Sequence, residues 1–275
     1  MNRPFTDDLT AMTTFYKVDP LRLSWREYWN FAPKWEFPIQ AVLRLLRVRL
    51  PCSVGTPPCV EAIAPYEIDE AQLPDAERRR FEPLRKELEA LGFGRPVFHA
   101  ISLPHSYTHI YWATFTHHTG RALARIHHRL WNHPTTFRSR FHVAFVTELE
   151  DGSCLVSTGE RRGLGAPDSV RMDYQTGASA TTLWDAHQQR LDEVPAGRVK
   201  RLVTEDESRG LTERLHGALR DYHVARGVFR PLDPGEEAAA AGRLRPRGRP
   251  GLPGEEAGAP DPDRDDPVLA QLERL

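Results

Sequence analysis

Residues 137–158 read FRSRFHVAFVTELEDGSCLVST, and the reading of this stretch decides the fold. Phe137, Phe141, Val143, Phe145, Thr147 and Leu149 alternate with Arg138, Arg140, His142 and Glu148. A period of two marks a strand with one buried face. Asp151-Gly152 follows, the pair that favours a two-residue type I′ turn. Such a turn sets Leu149 opposite Cys154, Thr147 opposite Val156 and Phe145 opposite Thr158, so the apolar sets of both strands share one face.

Working outward, strand patterns cover 97–103, 107–117, 122–130, 137–150 and 153–158. A turn at Thr119-Gly120 sets Phe115 opposite Ala124, Ala113 opposite Ile126 and Tyr111 opposite His128. The same register gathers Trp112, Thr114, Arg125, His127 and Arg129 on the other face. Helices flank the meander. Ser24-Trp25-Arg26-Glu27 fits a capping box that opens a short helix, which Pro33 halts. Pro38 opens a second helix to about Leu50, with Ile39, Val42, Leu43, Leu46 and Leu50 on one stripe. Phe81, Leu84, Leu88 and Leu91 mark a third, interrupted by Pro83 and closed by Gly92. Residues 159–177 read as a loop. Trp184, His187 and Leu191 then give one helix, and Thr204-Glu205-Asp206-Glu207 caps another carrying Leu211, Leu215 and Leu219.

These patterns predict an α+β fold: an antiparallel meander of four to five strands with helices packed on one face, plus an N-terminal helical appendage. Three regions follow: an aromatic and basic helical segment with linker at 1–66, the α+β module at 67–230, and a tail at 231–275 whose Pro, Gly and charge predict disorder.

Thirty-seven basic residues against 38 acidic ones leave a net charge of −1, so the molecule as a whole is no electrostatic trap for nucleic acid. Any anion binding must come from a local patch. Three cysteines (Cys52, Cys59 and Cys154) make no disulfide framework and are expected to be reduced thiols. No secretory signal is visible, and residues 37–50 are too short and too charged to span a bilayer. The expected location is cytoplasmic, with peripheral attachment to the inner membrane.

Nine of the twelve histidines fall between His99 and His142, but no spacing among them is that of a metal site. No metal is therefore expected. There is no Gly-x-Ser-x-Gly, P-loop or Rossmann fingerprint to place a nucleophile or a nucleotide. The strongest ligand candidate is the solvent-facing side of the meander, where Arg125, His127, Arg129, Arg138, Arg140 and His142 surround Trp112. Cations beside an aromatic suit a phosphate, a single-stranded nucleic acid or a carboxylate. A second candidate surface is N-terminal: Trp25, Trp29 and Trp35 beside Leu43, Arg44, Leu46 and Arg47, a composition suited to an anionic membrane surface, to a protein partner or to packing on the protein's own domain.

Two resemblances add to this. Glu160-Arg161-Arg162-Gly163-Leu164-Gly165-Ala166 resembles the pyrophosphate loop of acetyl-CoA-dependent N-acetyltransferases, with Glu160 where that motif has Gln or Arg. Residues 84–194 resemble a bacterial family without an assigned activity. The resemblance rests on Leu88-Glu89-Ala90-Leu91-Gly92-Phe93, Ala124-Arg125-Ile126, the 145–158 hairpin and Leu183-Trp184-Asp185-Ala186-His187. It implies a helix–meander–helix module, often found with hydrophobic segments nearby. The resulting expectation is a non-enzymatic binding module near the cytoplasmic membrane surface. It needs no cofactor and no specific nucleic acid, and its small-molecule ligand is left unspecified. The alternative is an acyltransferase-like enzyme using an acyl-CoA.

Overall fold

The computed structural model describes residues 16–31 and 66–232, apart from 104–107, 134–135, 196 and 203, together with positions 38, 41, 42, 45, 46 and 235. The architecture is α+β. A seven-stranded sheet runs in the order β2 (Glu67–Ile68), β3 (Val97–Leu103), β4 (Thr108–Thr116), β5 (Leu123–His133), β6 (Thr136–Glu148), β7 (Cys154–Thr158), β8 (Val170–Tyr174). Neighbours are antiparallel except β7 and β8, which are parallel. The two strands beyond the predicted meander are its edges. Of these, β8 lies inside the stretch read as a loop, where Val170 and Met172 join an apolar cluster.

Among the described residues the helices whose bounds are defined are α1 (Trp25–Phe31), α2 (Asp75–Ala90), α3 (Ala180–Asp192) and α4 (Glu205–Ala225). Their caps are those written in the sequence. Ser24 and Glu27 exchange the two hydrogen bonds of a capping box at 3.2 and 2.8 Å, and Thr204 with Glu207 repeat them at 3.1 and 3.0 Å. α2 continues through Pro83 and ends in a Schellman motif, Phe93 N–H to Leu88 O and Gly92 N–H to Glu89 O, with Gly92 at φ +91°.

The helices cover both faces of the sheet, which corrects the one-face expectation. α2 and α3 pack on the face that carries Phe98, Ala113, Phe115, Ile126, Val143 and Phe145. α4 packs on the other, its Leu211 and Leu215 meeting Leu123, Val146, Cys154, Val156 and Val170. β7 is buried along its whole length because both of its faces are roofed.

The β4–β5 register is the predicted one: Phe115 with Ala124, Ala113 with Ile126, Tyr111 with His128. The β6–β7 register differs by one residue. Phe145 faces Ser157 and Val146 faces Val156, because the loop holds three residues rather than two. Leu149 N–H bonds Ser153 O at 2.8 Å and Gly152, at φ +79°, takes the left-handed position that closes such a loop. Asp151 Oδ1 accepts from both the Ser153 amide and hydroxyl, at 2.9 and 2.6 Å. Leu155 and Ser157 therefore share the face of Phe145, and Cys154 and Val156 turn to α4.

The N-terminal segment docks on the end of the module. β1 (Tyr16–Val18) pairs with β9 (Phe229–Pro231), and Val18, Leu23 and Tyr28 bury against Val228 and Phe229. Glu27, buried in α1, accepts two hydrogen bonds from Arg226 at 2.7 Å each, and one from Gly165 N–H at 2.8 Å. No helix among the described residues is long and apolar enough to cross a membrane. Of the tail expected at 231–275, Pro231 belongs to strand β9 (Phe229–Pro231), and all but 231, 232 and 235 lies outside the described residues, as do Cys52 and Cys59. Cys154 is buried and free.

Candidate functional site

Beneath α4 the sheet carries a row of rings. Register places His99 of β3 beside Trp112 of β4, Trp112 beside His127 of β5, and His127 beside His142 of β6. His99 stacks on Trp112 with ring centroids 4.9 Å apart and planes 5° from parallel, and His127 lies 4.9 Å from His142. Arg125 and Arg129 flank the row two residues either side of His127 on the same face. The face predicted to be open is thus a covered layer: Trp112 and His99 are buried, and Arg125, His127, Arg129 and His142 keep only partial exposure. The reason is α4, which lies across it. Arg125 Nη1 donates to His216 Nε2 of α4 at 2.7 Å, and Thr116 and Ser208 hydroxyls meet at 3.0 Å.

The electrostatics follow from burial. His99 and His142 are each pushed down to about 4, chiefly by burial, and His127 and His216 go well below the usual imidazole value for the same reason. The rings are therefore neutral at pH 7, and the positive charge of the layer rests on the guanidinium groups. Burial lowers Arg125 to about 10 and also lowers Arg129, while Glu160 opposes both shifts. Glu160 Oε2 lies 3.7 Å from His142 Nε2. Among the described residues no carboxylate pairs with Arg125 within 4.0 Å, so its close partner is a neutral imidazole. Buried polar atoms of this layer without a hydrogen-bond partner among the described residues include His99 Nδ1, Trp112 Nε1, Arg125 Nε and His127 Nδ1. Two of these are obligatory donors, which is the complement an anion needs.

Next to the row, between β3–β4 and the first two turns of α4, lies a cavity of about 250 Å³. His99, Thr114, Thr116, Ser208, Arg209 and Thr212 line it. Arg209 is already engaged, with Glu67 at 2.9 Å and Asp206 at 2.8 Å.

Of the residues expected in the ligand site, Trp112, Arg125, His127, Arg129 and His142 come together. Arg140 sits on the same face at an exposed position, opposite Arg129. Arg138 pairs with Trp131 in the ladder, and its side chain lies outside the described residues. His99 and His216 were missed. The signal for the second was present: Ser208, Thr212 and His216 repeat every four residues, a polar line beside the Leu211–Leu215–Leu219 stripe of α4.

The Glu160–Ala166 loop leads into strand β8 instead of a helix, and the Gly165 amide within it is bonded to Glu27. Without a helix N-terminus the loop lacks the dipole that a pyrophosphate cradle uses. In the N-terminal segment Trp25, Trp29 and Leu46 are exposed, with Val42 and Leu45. Trp35, Leu43, Arg44 and Arg47 lie outside the described residues. Among the described residues no three histidine, cysteine or carboxylate side chains are grouped to hold a metal ion.

Fold and site together define an α+β protein with a cationic, histidine-rich sheet face roofed by a helix. No protein-family model, curated protein or solved structure matches the chain.

Proposed function

We propose that the protein is a binding module whose roofed sheet face takes a small anion-bearing ligand, a phosphate or carboxylate. The supporting observation is Arg125, a guanidinium largely removed from water whose partner is a neutral histidine. A cation so placed costs several kcal/mol unless an anion joins it. The unpartnered donors on Trp112 and Arg125 offer such a ligand contacts, and the cavity lined by their cross-strand neighbours His99 and Thr114 adjoins them.

Inorganic phosphate is expected to raise the melting temperature at constant ionic strength, by an amount corresponding to about 2.7 kcal/mol at 100 times its Kd. Arg125→Met should abolish the rise while melting no lower than the parent without ligand, since an uncompensated cation has been removed. Acetate in place of phosphate separates carboxylate from phosphate recognition. A melting curve indifferent to both anions would end this reading.

The module is further proposed to work at an anionic membrane surface. Leu45 and Leu46 are 72% and 67% exposed, and Val42, Trp25 and Trp29 stand exposed in the same N-terminal segment. Apolar side chains of this kind bury in acyl chains, and each nearby basic residue adds about 1 kcal/mol at an anionic surface. The intact protein should float with phosphatidylserine vesicles at low salt, less so as salt rises, and Leu45→Glu with Leu46→Glu should remove the effect. If the parent stays in solution at low salt, the patch belongs to a protein partner instead.

A further inference from the structure

On the opposite face of the sheet three side chains from three elements stand in line. Glu77 of α2 is buried and its Oε2 meets Nδ1 of His128 of β5. His128, fully buried, places Nε2 at 2.8 Å from the Ser139 hydroxyl of β6. Ser139 itself keeps partial exposure. Arg80 of α2 sets Nη1 3.0 Å from His128 Nε2 and 3.4 Å from Ser139 Oγ. We infer that Ser139, His128 and Glu77 form a serine-nucleophile site for the hydrolysis of small carboxylic esters, with Arg80 as its anion-stabilising donor.

The order of the contacts assigns the roles. A carboxylate can only accept, so Nδ1 carries the proton and Nε2 is left as the base facing the hydroxyl. The chain runs from the buried acid to the partly exposed serine, the direction in which a substrate reaches a nucleophile. Its parts are held by ordinary secondary structure. Glu77 and Arg80 are three apart on α2 and so share the face turned to the sheet. Register sets Ser139 beside Leu130 and His128 beside Phe141, which makes Ser139 and His128 diagonal neighbours. Phe141 packs edge-on to the imidazole at 5.6 Å and lies 5.7 Å from Phe81, fixing the ring from the helix side.

In the reaction the Ser139 oxygen adds to the ester carbonyl carbon and its proton passes to His128 Nε2. Glu77 stabilises the imidazolium so formed, and the Arg80 guanidinium moves from Nε2 onto the carbonyl oxygen as it becomes negative. The bond to the leaving oxygen breaks, that oxygen takes the proton from His128, and the alcohol departs from an acyl-Ser139. Water then adds through the same base, releasing the acid and restoring the hydroxyl.

The test treats the full-length protein with an alkyl fluorophosphonate and follows its mass, with hydrolysis of p-nitrophenyl acetate measured in parallel. One adduct per chain on Ser139 is expected, absent in Ser139→Ala while that variant keeps its melting temperature. Glu77→Gln, which preserves the shape of the contact, should slow both reactions on the order of 10³–10⁴-fold. Failure to label Ser139, or ester hydrolysis undiminished in Ser139→Ala, would overturn the inference and leave the trio as a buried polar support for α2. The phosphate response belongs to the other face and should survive Ser139→Ala in either case.

Discussion

Replacing Phe145 with alanine is expected to lower stability by about 3–5 kcal/mol. Phe145 has no exposed surface and stands at the centre of an aromatic cluster, 5.5 Å from the Phe93 ring and 5.0 Å from Trp184. Its cross-strand neighbour is Ala124, too small to fill the cavity that truncation would leave. His187 closes the cluster from α3 and is itself fixed, bonded to Thr147 and Ser157 hydroxyls at 3.0 Å each, so it cannot turn in to compensate. Burial holds His187 down to about 3, so it is neutral at pH 7. The matched control is Arg140→Ala on the exposed rim of β6, where the change should stay within about 0.5 kcal/mol. Urea midpoints of the two variants measure the difference. Equal midpoints would mean that the two faces of β6 have been assigned wrongly.

The second large effect lies at the junction of the chain ends. Glu27→Gln removes the negative partner of Arg226 and should destabilise by about 2–3 kcal/mol, less than the loss of a fully buried pair because Arg226 retains some contact with water. The same variant carries a pH signature. The hydrogen bonds from Arg226, then those from the Gly165 and Ser24 amides, hold the Glu27 carboxyl well below the usual range against the opposing effect of burial. A folded-state value below the unfolded one means that the unfolded chain takes up the proton first. The clamp therefore contributes fully above the unfolded carboxyl value of about 4.3, and its contribution falls as pH drops from there toward the folded value. Denaturant midpoints between about pH 5 and pH 2 should decline more steeply for the parent than for Glu27→Gln. Parallel curves would show that the contact seen between Glu27 and Arg226 contributes nothing to folding.

What the sequence determined by itself was local. The alternation in β6, the Ser24 and Thr204 capping boxes, and the Gly92 termination of α2 each depend on residues within a turn or two, where backbone preference and side-chain period decide. The β4–β5 register belongs here too, since a short loop leaves the facing apolar residues one way to share a face. The β6–β7 register shows where this ends. Asp151-Gly152 serves a two-residue or a three-residue loop equally, and the choice moves every side chain of β7 to the opposite face.

The rest was decided by tertiary structure. The ring row was legible as a polar sheet face, but its burial came from α4, which reaches Arg125 from 91 residues away. Glu77 and His128 are 51 residues apart, and Glu27 and Arg226 are 199 apart. No period or cap links such positions. They meet because covering both faces of the sheet buries the most apolar surface, and the polar groups carried along must then find partners among whatever that packing brings near.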